Sequence, residues 1–146
     1  MQTKSTIKNH FIRVVAGLII NSEGKGLIAK RSQRMSSPGL WEIPGGKVET
    51  GEVPRVALRR ELQEELSVNV VVGEHFASTQ AVISGKSFQM NAYRCFLLDG
   101  HCQATEHEAL RWICAEDVGG LEWAPLDIPM LPEIKQLLWE AAQRGP

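Results

Sequence analysis

Several common features are missing from this 146-residue sequence, and each absence narrows what the protein can be. The three cysteines include no C-x-x-C pair and are odd in number, so we expect no disulfide framework and a reducing, cytoplasmic setting. The first ten residues, MQTKSTIKNH, contain no apolar stretch of the kind found in a secretory signal. No apolar run approaches the roughly 18 residues of a membrane-spanning helix, so we expect no membrane partner.

An excess of charge of one sign is also missing. The net charge is −1 and no run of lysine or arginine stands out, whereas duplex nucleic acid requires a basic surface. We therefore expect no duplex nucleic acid as a partner, although a single nucleotide is compatible because a metal ion can neutralise its charge. Repeats are absent, and the ordinary composition predicts one domain over residues 1–146, either a monomer or a homodimer.

Apolar and alternating segments predict an α+β fold with the order β-β-β-α-β-β-β-α, a mixed sheet covered by helices. The first three strands are predicted at Phe11–Ile20, Gly26–Lys30 and Leu40–Ile43, with the first two forming a hairpin. A helix follows, starting near Pro54, with core-facing leucines at four-residue intervals: Leu58, Leu62 and Leu66. The later segments are strand-like Val68–Val72, strands Phe76–Ile83, Phe88–Leu98 and Leu110–Cys114, a helical turn at Glu116–Val118, and a helix at Pro132–Gln143.

The predicted helix after Pro54 carries the most informative pattern in the chain. Glu61, Glu64 and Glu65 stand at positions i, i+3 and i+4, which lie on one helix face with Cβ atoms roughly 5–6 Å apart. Carboxylates this close repel one another unless a cation lies among them. The spacing therefore predicts a site for a hard metal ion, Mg²⁺ or alternatively Mn²⁺, and such ions usually serve phosphate chemistry.

The same stretch resembles the signature of the Nudix hydrolases, G-x5-E-x7-R-E-U-x-E-E-x-G-U, in which U is a bulky aliphatic residue. The matching residues are Gly46, Glu52, Arg60, Glu61, Leu62, Glu64, Glu65 and Val68. Ser67 stands where the family has a glycine that ends the helix with positive φ, and serine there costs about 1 kcal/mol of strain. The resemblance implies an α/β/α sandwich and a hydrolase that splits a nucleoside triphosphate into a nucleoside monophosphate and pyrophosphate.

The resemblance also implies roles for individual residues around the metal. The expected metal-site residues are Glu61, Glu64, Glu65, Glu52, Gly45 and Glu106. Glu52 is either a ligand or a supporting carboxylate, and Arg60 can orient a glutamate through a bidentate pair. Gly45 and Gly46 let the backbone pass close to the metal and offer carbonyl oxygens. The predicted catalytic residues are the three helix glutamates with Arg60 and Glu106, and Gly45 and Gly46 are also expected to bind the substrate.

The loop TEHEALRW leaves a choice between two glutamates. Glu106 lies six residues before Trp112 and corresponds best to a further metal-binding or base-supporting glutamate of MutT-like members, with Glu108 as the rival. His107 stands between them. It is predicted to be an ordinary loop histidine because Mg²⁺ prefers oxygen ligands.

The resemblance to MutT-like members also implies that Arg31 and Asp127 contact the nucleotide. Trp123 is predicted to line the base pocket because it lies next to the sequence APLDIP. An ionised carboxylate only accepts hydrogen bonds, so Asp127 favours bases that carry an amino group over uracil and thymine. The alternative role for Asp127 is to cap a helix that begins at Ile128-Pro129, and both readings stay open. The phrases VGEHFASTQ, ATEHEALRW and WAPLDIPML are similar to the CTP pyrophosphohydrolase branch of MutT-like enzymes, which implies cytidine-type triphosphates as substrates. The alternatives are 8-oxo-dGTP hydrolysis and a non-catalytic nucleotide-sensing module.

Overall fold

The computed structural model of the protein describes residues 10–144. The strands are β1 (Ile12–Ile19), β2 (Gly26–Lys30), β3 (Trp41–Glu42), β4 (Gly45–Lys47), β5 (Asn69–Ile83), β6 (Lys86–Asp99) and β7 (Ala109–Ile113). The helices are α1 (Pro54–Leu66), α2 (Leu131–Arg144) and two 3₁₀ helices at Ala115–Gly120 and Ile128–Met130. No helix in the described part is long and apolar enough to cross a membrane. The expected lack of a secretory signal concerns residues 1–9, most of the quoted start, which lie outside the description, as do residues 145–146.

The predicted element order is confirmed, with one strand added. The Pro44-Gly45-Gly46 stretch, predicted as a turn, continues into the short strand β4, which pairs antiparallel with β1. The segments predicted at Val68–Val72 and Phe76–Ile83 belong to the single strand β5. Its pairing with β6 shifts register between Val72 and Ala77, and such irregularities interrupt the alternating pattern from which a strand is predicted.

The predicted hairpin between the first two strands is wrong. β1 lies inside a four-stranded sheet of order β4-β1-β6-β5, where it runs parallel to β6. β2 lies at the centre of a second sheet of order β3-β2-β7. The two strands meet through an isolated antiparallel bridge between Ile20 and Gly26. The turn residues between β1 and β2 correctly predict that the chain reverses. They do not predict that the two strands belong to different sheets.

Strand β1 is buried on both faces because helices cover both sides of its sheet. Val15 and Ile19 belong to one apolar cluster with the inner face of α1. The alternate residues Ala16 and Leu18 belong to a second cluster with the inner face of α2. The α1 leucines predicted to face the core are fully buried: Leu58, Leu62 and Leu66. This layering confirms the predicted α/β/α sandwich and holds α1 rigidly against the sheet.

Helix α1 begins and ends at the positions that the sequence predicts. Pro54 is its first residue, and Val53 before it offers no capping side chain. Ser67 ends the helix in the left-handed conformation, with φ 60° and ψ 39°. Its N–H donates to the carbonyl of Gln63 at 3.0 Å. The serine therefore adopts the backbone geometry for which the family uses glycine.

Replacing Ser67 by glycine is expected to stabilise the protein by about 0.5–1 kcal/mol, because glycine adopts the left-handed conformation without a clash at Cβ. The stabilisation is smaller than the strain energy that is relieved, because glycine also increases the conformational entropy of the unfolded chain. Urea denaturation of the two proteins measures it. Ser67→Ala is the control, since alanine keeps the strained Cβ. A gain of equal size in the alanine variant would contradict this explanation.

Candidate active site

A cavity of about 290 Å³ lies beside the C-terminal half of α1. Its polar and charged lining includes Arg31, Glu42, Glu65, His107 and Asp127. Its apolar wall includes Ile83, Phe88, Met90 and Leu126. A largely apolar pocket with a few converging polar groups is typical of a binding site for a small organic ligand. The cavity thus joins the glutamate helix at one end to the loop of Asp127 at the other.

Arg60 lies at the centre of the helix glutamates. Its Nε and Nη2 donate to Glu52 Oε2 and Oε1 at 2.8 and 3.0 Å, which is the bidentate pair expected of this arginine. Its Nη1 donates to Glu61 at 3.0 Å and to Glu64 at 3.2 Å. The Arg60 bonds, followed by the N–H of Glu49, lower the pKa of Glu52 to about 2. Both oxygens of Glu52 are occupied, which favours its supporting role over metal ligation.

Glu65 faces the cavity and lacks the partner that its charge requires. Burial, and then the charges of Glu61, Glu42 and Glu106, raise the pKa of Glu65 to about 8 against the opposing N–H of Gly45. Glu65 Oε1 is buried and has no hydrogen-bond partner. A buried carboxylate oxygen without a donor, close to three further carboxylates, is a place where a cation is stabilising. The residues present therefore fit a divalent metal ion.

Gly46 makes room for the carboxylate of Glu61. A Cβ atom at position 46 would overlap the carboxyl group of Glu61, and one at Gly45 would overlap the carbonyl oxygen of Val15. The two glycines therefore allow two close approaches, one to a glutamate of α1 and one to the backbone of β1. Burial raises the pKa of Glu61, and the neighbouring Arg60 opposes that shift.

The predicted metal ligands are not yet gathered around one point. Among residues 10–144, no three His, Cys, Asp or Glu side chains are arranged to hold a metal ion. Arg60 Nη1 contacts Glu61 at 3.0 Å and Glu64 at 3.2 Å, so its positive charge lies between these two carboxylates. The Glu64 side chain is 59% exposed and can leave Arg60 at little cost. Gathering these carboxylates around one metal ion would therefore need a rearrangement of their side chains.

The loop before β7 docks on the end of α1. Thr105 Oγ1 donates to the backbone carbonyl of Glu65 at 2.9 Å, and the Thr105 N–H donates to the same oxygen at 3.3 Å. Glu106 is exposed and close enough for its charge to contribute to the raised pKa of Glu65. Glu108 instead pairs with Lys30 at 3.7 Å. The structure therefore brings Glu106, and not its rival Glu108, towards the helix glutamates.

Glu42 and His107 line the cavity although neither is among the predicted site residues. Glu42 Oε1 accepts from Arg31 Nη1 at 2.8 Å, and Glu42 Oε2 is 2.9 Å from His107 Nε2. Arg31 also donates to Ser36, from Nε to its carbonyl at 2.6 Å and from Nη2 to its hydroxyl at 3.0 Å. His107 is buried, which differs from the ordinary loop histidine predicted. A charged residue inside the apolar run LWEI was the signal that could have identified Glu42.

Asp127 and Trp123 have different positions, although both were predicted to contact the base. Asp127 lines the cavity, is 2% exposed, and accepts the N–H of Ile43 through Oδ2 at 2.9 Å. Its side chain does not cap the following 3₁₀ helix, so the capping alternative is wrong. Trp123 is 5% exposed within the core, where its indole N–H donates to the carbonyl of Val118 at 3.0 Å. Trp123 is outside the cavity lining, which contradicts its predicted contact with the base.

Replacing Asp127 by Asn is expected to flatten the pH dependence of stability. Burial, and then the charge of Glu42, raise the pKa of Asp127 well above its usual range, against the opposing Ile43 N–H and Arg31. The aspartate therefore stabilises the fold fully only below the pKa of the unfolded chain, about 4, and this contribution is lost as pH rises through the raised folded value.

Asparagine keeps an acceptor for the Ile43 N–H and carries no charge. The Tm of the variant minus the Tm of the wild type should therefore be larger at pH 8 than at pH 5. Thermal melts of the metal-free proteins at both values measure this difference. The exposed Asp99→Asn is the matched control and should follow the wild type. Parallel curves for Asp127→Asn and wild type would contradict the predicted effect.

Comparisons with known proteins agree with the fold. Residues 10–144 match the NUDIX domain family. The chain is 45% identical over 120 residues to the CTP pyrophosphohydrolase of Escherichia coli (strain K12), covering 82% of this chain and 88% of that protein. It is 42% identical over 59 residues to the 8-oxo-dGTP diphosphatase of Proteus vulgaris, covering 40% and 53%. The solution structure of the E. coli ORF135 protein superposes with a TM-score of 0.75 at 43% identity, covering 87% and 90%.

Proposed function

This chain belongs to the Nudix hydrolase family, and we propose that it hydrolyses nucleoside and deoxynucleoside triphosphates to a nucleoside monophosphate and pyrophosphate. The favoured substrates are CTP, dCTP or modified cytidine nucleotides. One observation carries the proposal, namely the buried, unpartnered Oε1 of Glu65 at the edge of a cavity that also holds Arg31 and Asp127. A cation site beside a pocket with one arginine suits a triphosphate whose base enters the pocket. Removal of damaged or surplus nucleotides from the cellular pool would use this reaction.

The metal ion in this proposal is Mg²⁺, with Mn²⁺ as an alternative. Glu61, Glu64 and Glu65 would hold it, with Glu106 and the Gly45 carbonyl at its margin. When bound, the ion supplies positive charge that offsets the triphosphate and stabilises the negative charge developing as the anhydride bond breaks.

The other residues of the chain position the parts of the reaction. Arg60 holds Glu52 by its bidentate pair and keeps the acidic face of α1 in place before substrate arrives. Arg31 lines the cavity and retains N–H groups for the phosphates or the base. In the reaction a water oxygen bonds to one phosphorus of the α–β anhydride and the P–O bond of that anhydride breaks. The nucleoside monophosphate and pyrophosphate separate, and the proton released from the water passes to solvent.

Asp127 is the residue we propose for recognition of the base. One oxygen accepts the Ile43 N–H, which fixes the carboxyl plane and leaves the second oxygen for the ligand. Burial raises the pKa of this carboxyl in the free protein, and an amino donor of a bound base would oppose that shift by favouring the ionised form. Cytosine presents an exocyclic amino donor, whereas uracil and thymine present a carbonyl at that position. Guanine also carries an amino group, so 8-oxo-dGTP is the alternative substrate. The name of the Proteus vulgaris relative supports that alternative.

The proposed function is tested by offering CTP, dCTP, 5-methyl-dCTP, dUTP, dTTP and 8-oxo-dGTP to the enzyme with Mg²⁺. Ion-exchange chromatography of the products should show monophosphate and pyrophosphate, with kcat/KM higher for cytidine nucleotides than for dUTP or dTTP. In Asp127→Asn that ratio should fall. Release of a diphosphate and inorganic phosphate would overturn the reaction, and a preference for dUTP would overturn the role of Asp127.

Two further proposals rest on the sequence. A cytoplasmic location agrees with the three cysteines Cys95, Cys102 and Cys114, which are all free. A single domain over residues 1–146 agrees with the extent of the family match, which covers residues 10–144.

A further inference from the structure

His107 is a buried histidine bonded to a charged partner. Its side chain is 1% exposed, and its Nε2 lies 2.9 Å from Glu42 Oε2. A carboxylate only accepts hydrogen bonds, so Nε2 carries the hydrogen and donates it. The other ring nitrogen, Nδ1, is buried without a partner. An apolar side chain would avoid that unsatisfied atom, so filling space alone does not account for a histidine at this position.

Glu42 connects His107 to Arg31. One carboxylate oxygen accepts from His107 and the other accepts from Arg31 Nη1 at 2.8 Å. All three side chains line the same cavity. They come from the loop before β7, from β3 and from the end of β2, so a single row of contacts joins three separate segments of the chain.

The row of contacts sets the orientation of the Arg31 guanidinium. A guanidinium has five N–H donors, and Arg31 uses Nε and Nη2 on Ser36 and one Nη1 hydrogen on Glu42. The guanidinium is therefore held from two sides while its remaining N–H groups stay available to a ligand. Without the Glu42 contact, the Arg31 guanidinium would be held only by its hydrogen bonds to Ser36, which lies on a loop.

The loop that carries His107 is itself fixed on both sides. Thr105 is bonded to the end of α1, and the N–H of Glu108 donates to the carbonyl of Lys30 at 2.9 Å. Lys30 directly precedes Arg31. These backbone contacts fix the position of His107 beside Glu42. Because His107 bonds to Glu42 and Glu42 bonds to Arg31, a fixed His107 also limits the orientations of the Arg31 side chain.

We propose that His107 is a positioning residue for substrate binding, which acts by holding the Glu42 carboxylate that orients Arg31 towards the triphosphate nucleotide. This inference rests on the proposed function and deepens it. His107 does not touch the substrate in this scheme, so its loss affects binding far more than the chemical step.

Two substitutions at one position separate this role from simple packing. Glutamine places its amide nitrogen near the position of histidine Nε2 and can still donate to Glu42, whereas the shorter asparagine places its amide near Nδ1 and cannot reach. His107→Asn should raise KM for CTP about tenfold with kcat within about twofold of wild type. His107→Gln should keep KM close to the wild-type value.

A second measurement uses Glu42→Gln, which should itself raise KM. Adding His107→Asn to Glu42→Gln should raise KM no further, because the two residues act through one contact. Equal KM values for His107→Asn and wild type, equal effects of asparagine and glutamine, or an additive double variant would each overturn the positioning role. A wild type that releases no pyrophosphate from any triphosphate would overturn the proposed function, and this role with it.

Discussion

Replacing Glu65 by glutamine is expected to lower kcat for pyrophosphate release about a thousandfold while the protein stays folded. Glu65 supplies the buried oxygen that lacks a partner, and its negative charge is what the proposed metal site would need at the edge of the cavity. Glutamine has nearly the same shape but no charge. The measurement is the rate of pyrophosphate release at saturating CTP and Mg²⁺.

Thermal melts distinguish a lost ion site from a damaged fold. In metal-free protein, Glu65→Gln should melt at or above the wild-type temperature, because it removes a buried carboxylate repelled by Glu61, Glu42 and Glu106. Mg²⁺ should raise the Tm of the wild type and not of the variant. Glu133→Gln, an exposed change on α2, should behave as wild type in both assays. Full activity of the wild type in EDTA would contradict the metal site itself.

Replacing Gly46 by alanine is expected to lower kcat/KM on the order of a hundredfold. The added methyl would overlap the Glu61 carboxyl group, so this glutamate must move away from both the metal site and Arg60 Nη1. Gly46 does not have positive φ, so alanine is compatible with the backbone and the effect arises from the contact. Steady-state kinetics with CTP measure the loss.

Gly119→Ala is the matched control for this change, because a Cβ at Gly119 meets no atom within 4 Å. It should keep wild-type kinetics. If Glu61 served only as a partner of Arg60, Gly46→Ala would reduce Tm and leave kcat/KM near the control value. That result would remove Glu61 from the proposed metal site.

The features that the sequence predicted well are local ones. The face of α1 follows from residues three and four positions apart, and the start at Pro54 and the end at Ser67 follow from residues beside them. Strand β4 was missed because glycine is a poor strand former. Its pairing depends on the close approach of Gly45 to the Val15 backbone, which a sequence pattern does not show.

The errors concern contacts between distant parts of the chain. Asp127 satisfies the N–H of Ile43, 84 positions earlier, and neither segment alone reveals that pairing. The hairpin prediction failed because β1 pairs with β6 instead of β2. Trp123 was placed in the pocket by its nearness in sequence to Asp127, yet its side chain points into the core. The contacts of Glu42 and His107 join three segments that are distant in sequence, so a local sequence pattern does not predict them.

The parallel pairing of β1 with β6 has a consequence for biosynthesis. Ile12 is partnered by Phe88, and at the usual pace of translation β6 leaves the ribosome roughly 4–15 s after β1. During that interval β4, a strand of only three residues, is the one neighbour of β1 in this sheet that has been synthesised. The glutamates of α1 are synthesised before β6, but Gly45 and Gly46 are held by pairing with β1, whose other edge is still without β6. A nascent chain stalled after α1 would therefore contain the glutamates of the motif but would lack the completed sheet that positions them for activity.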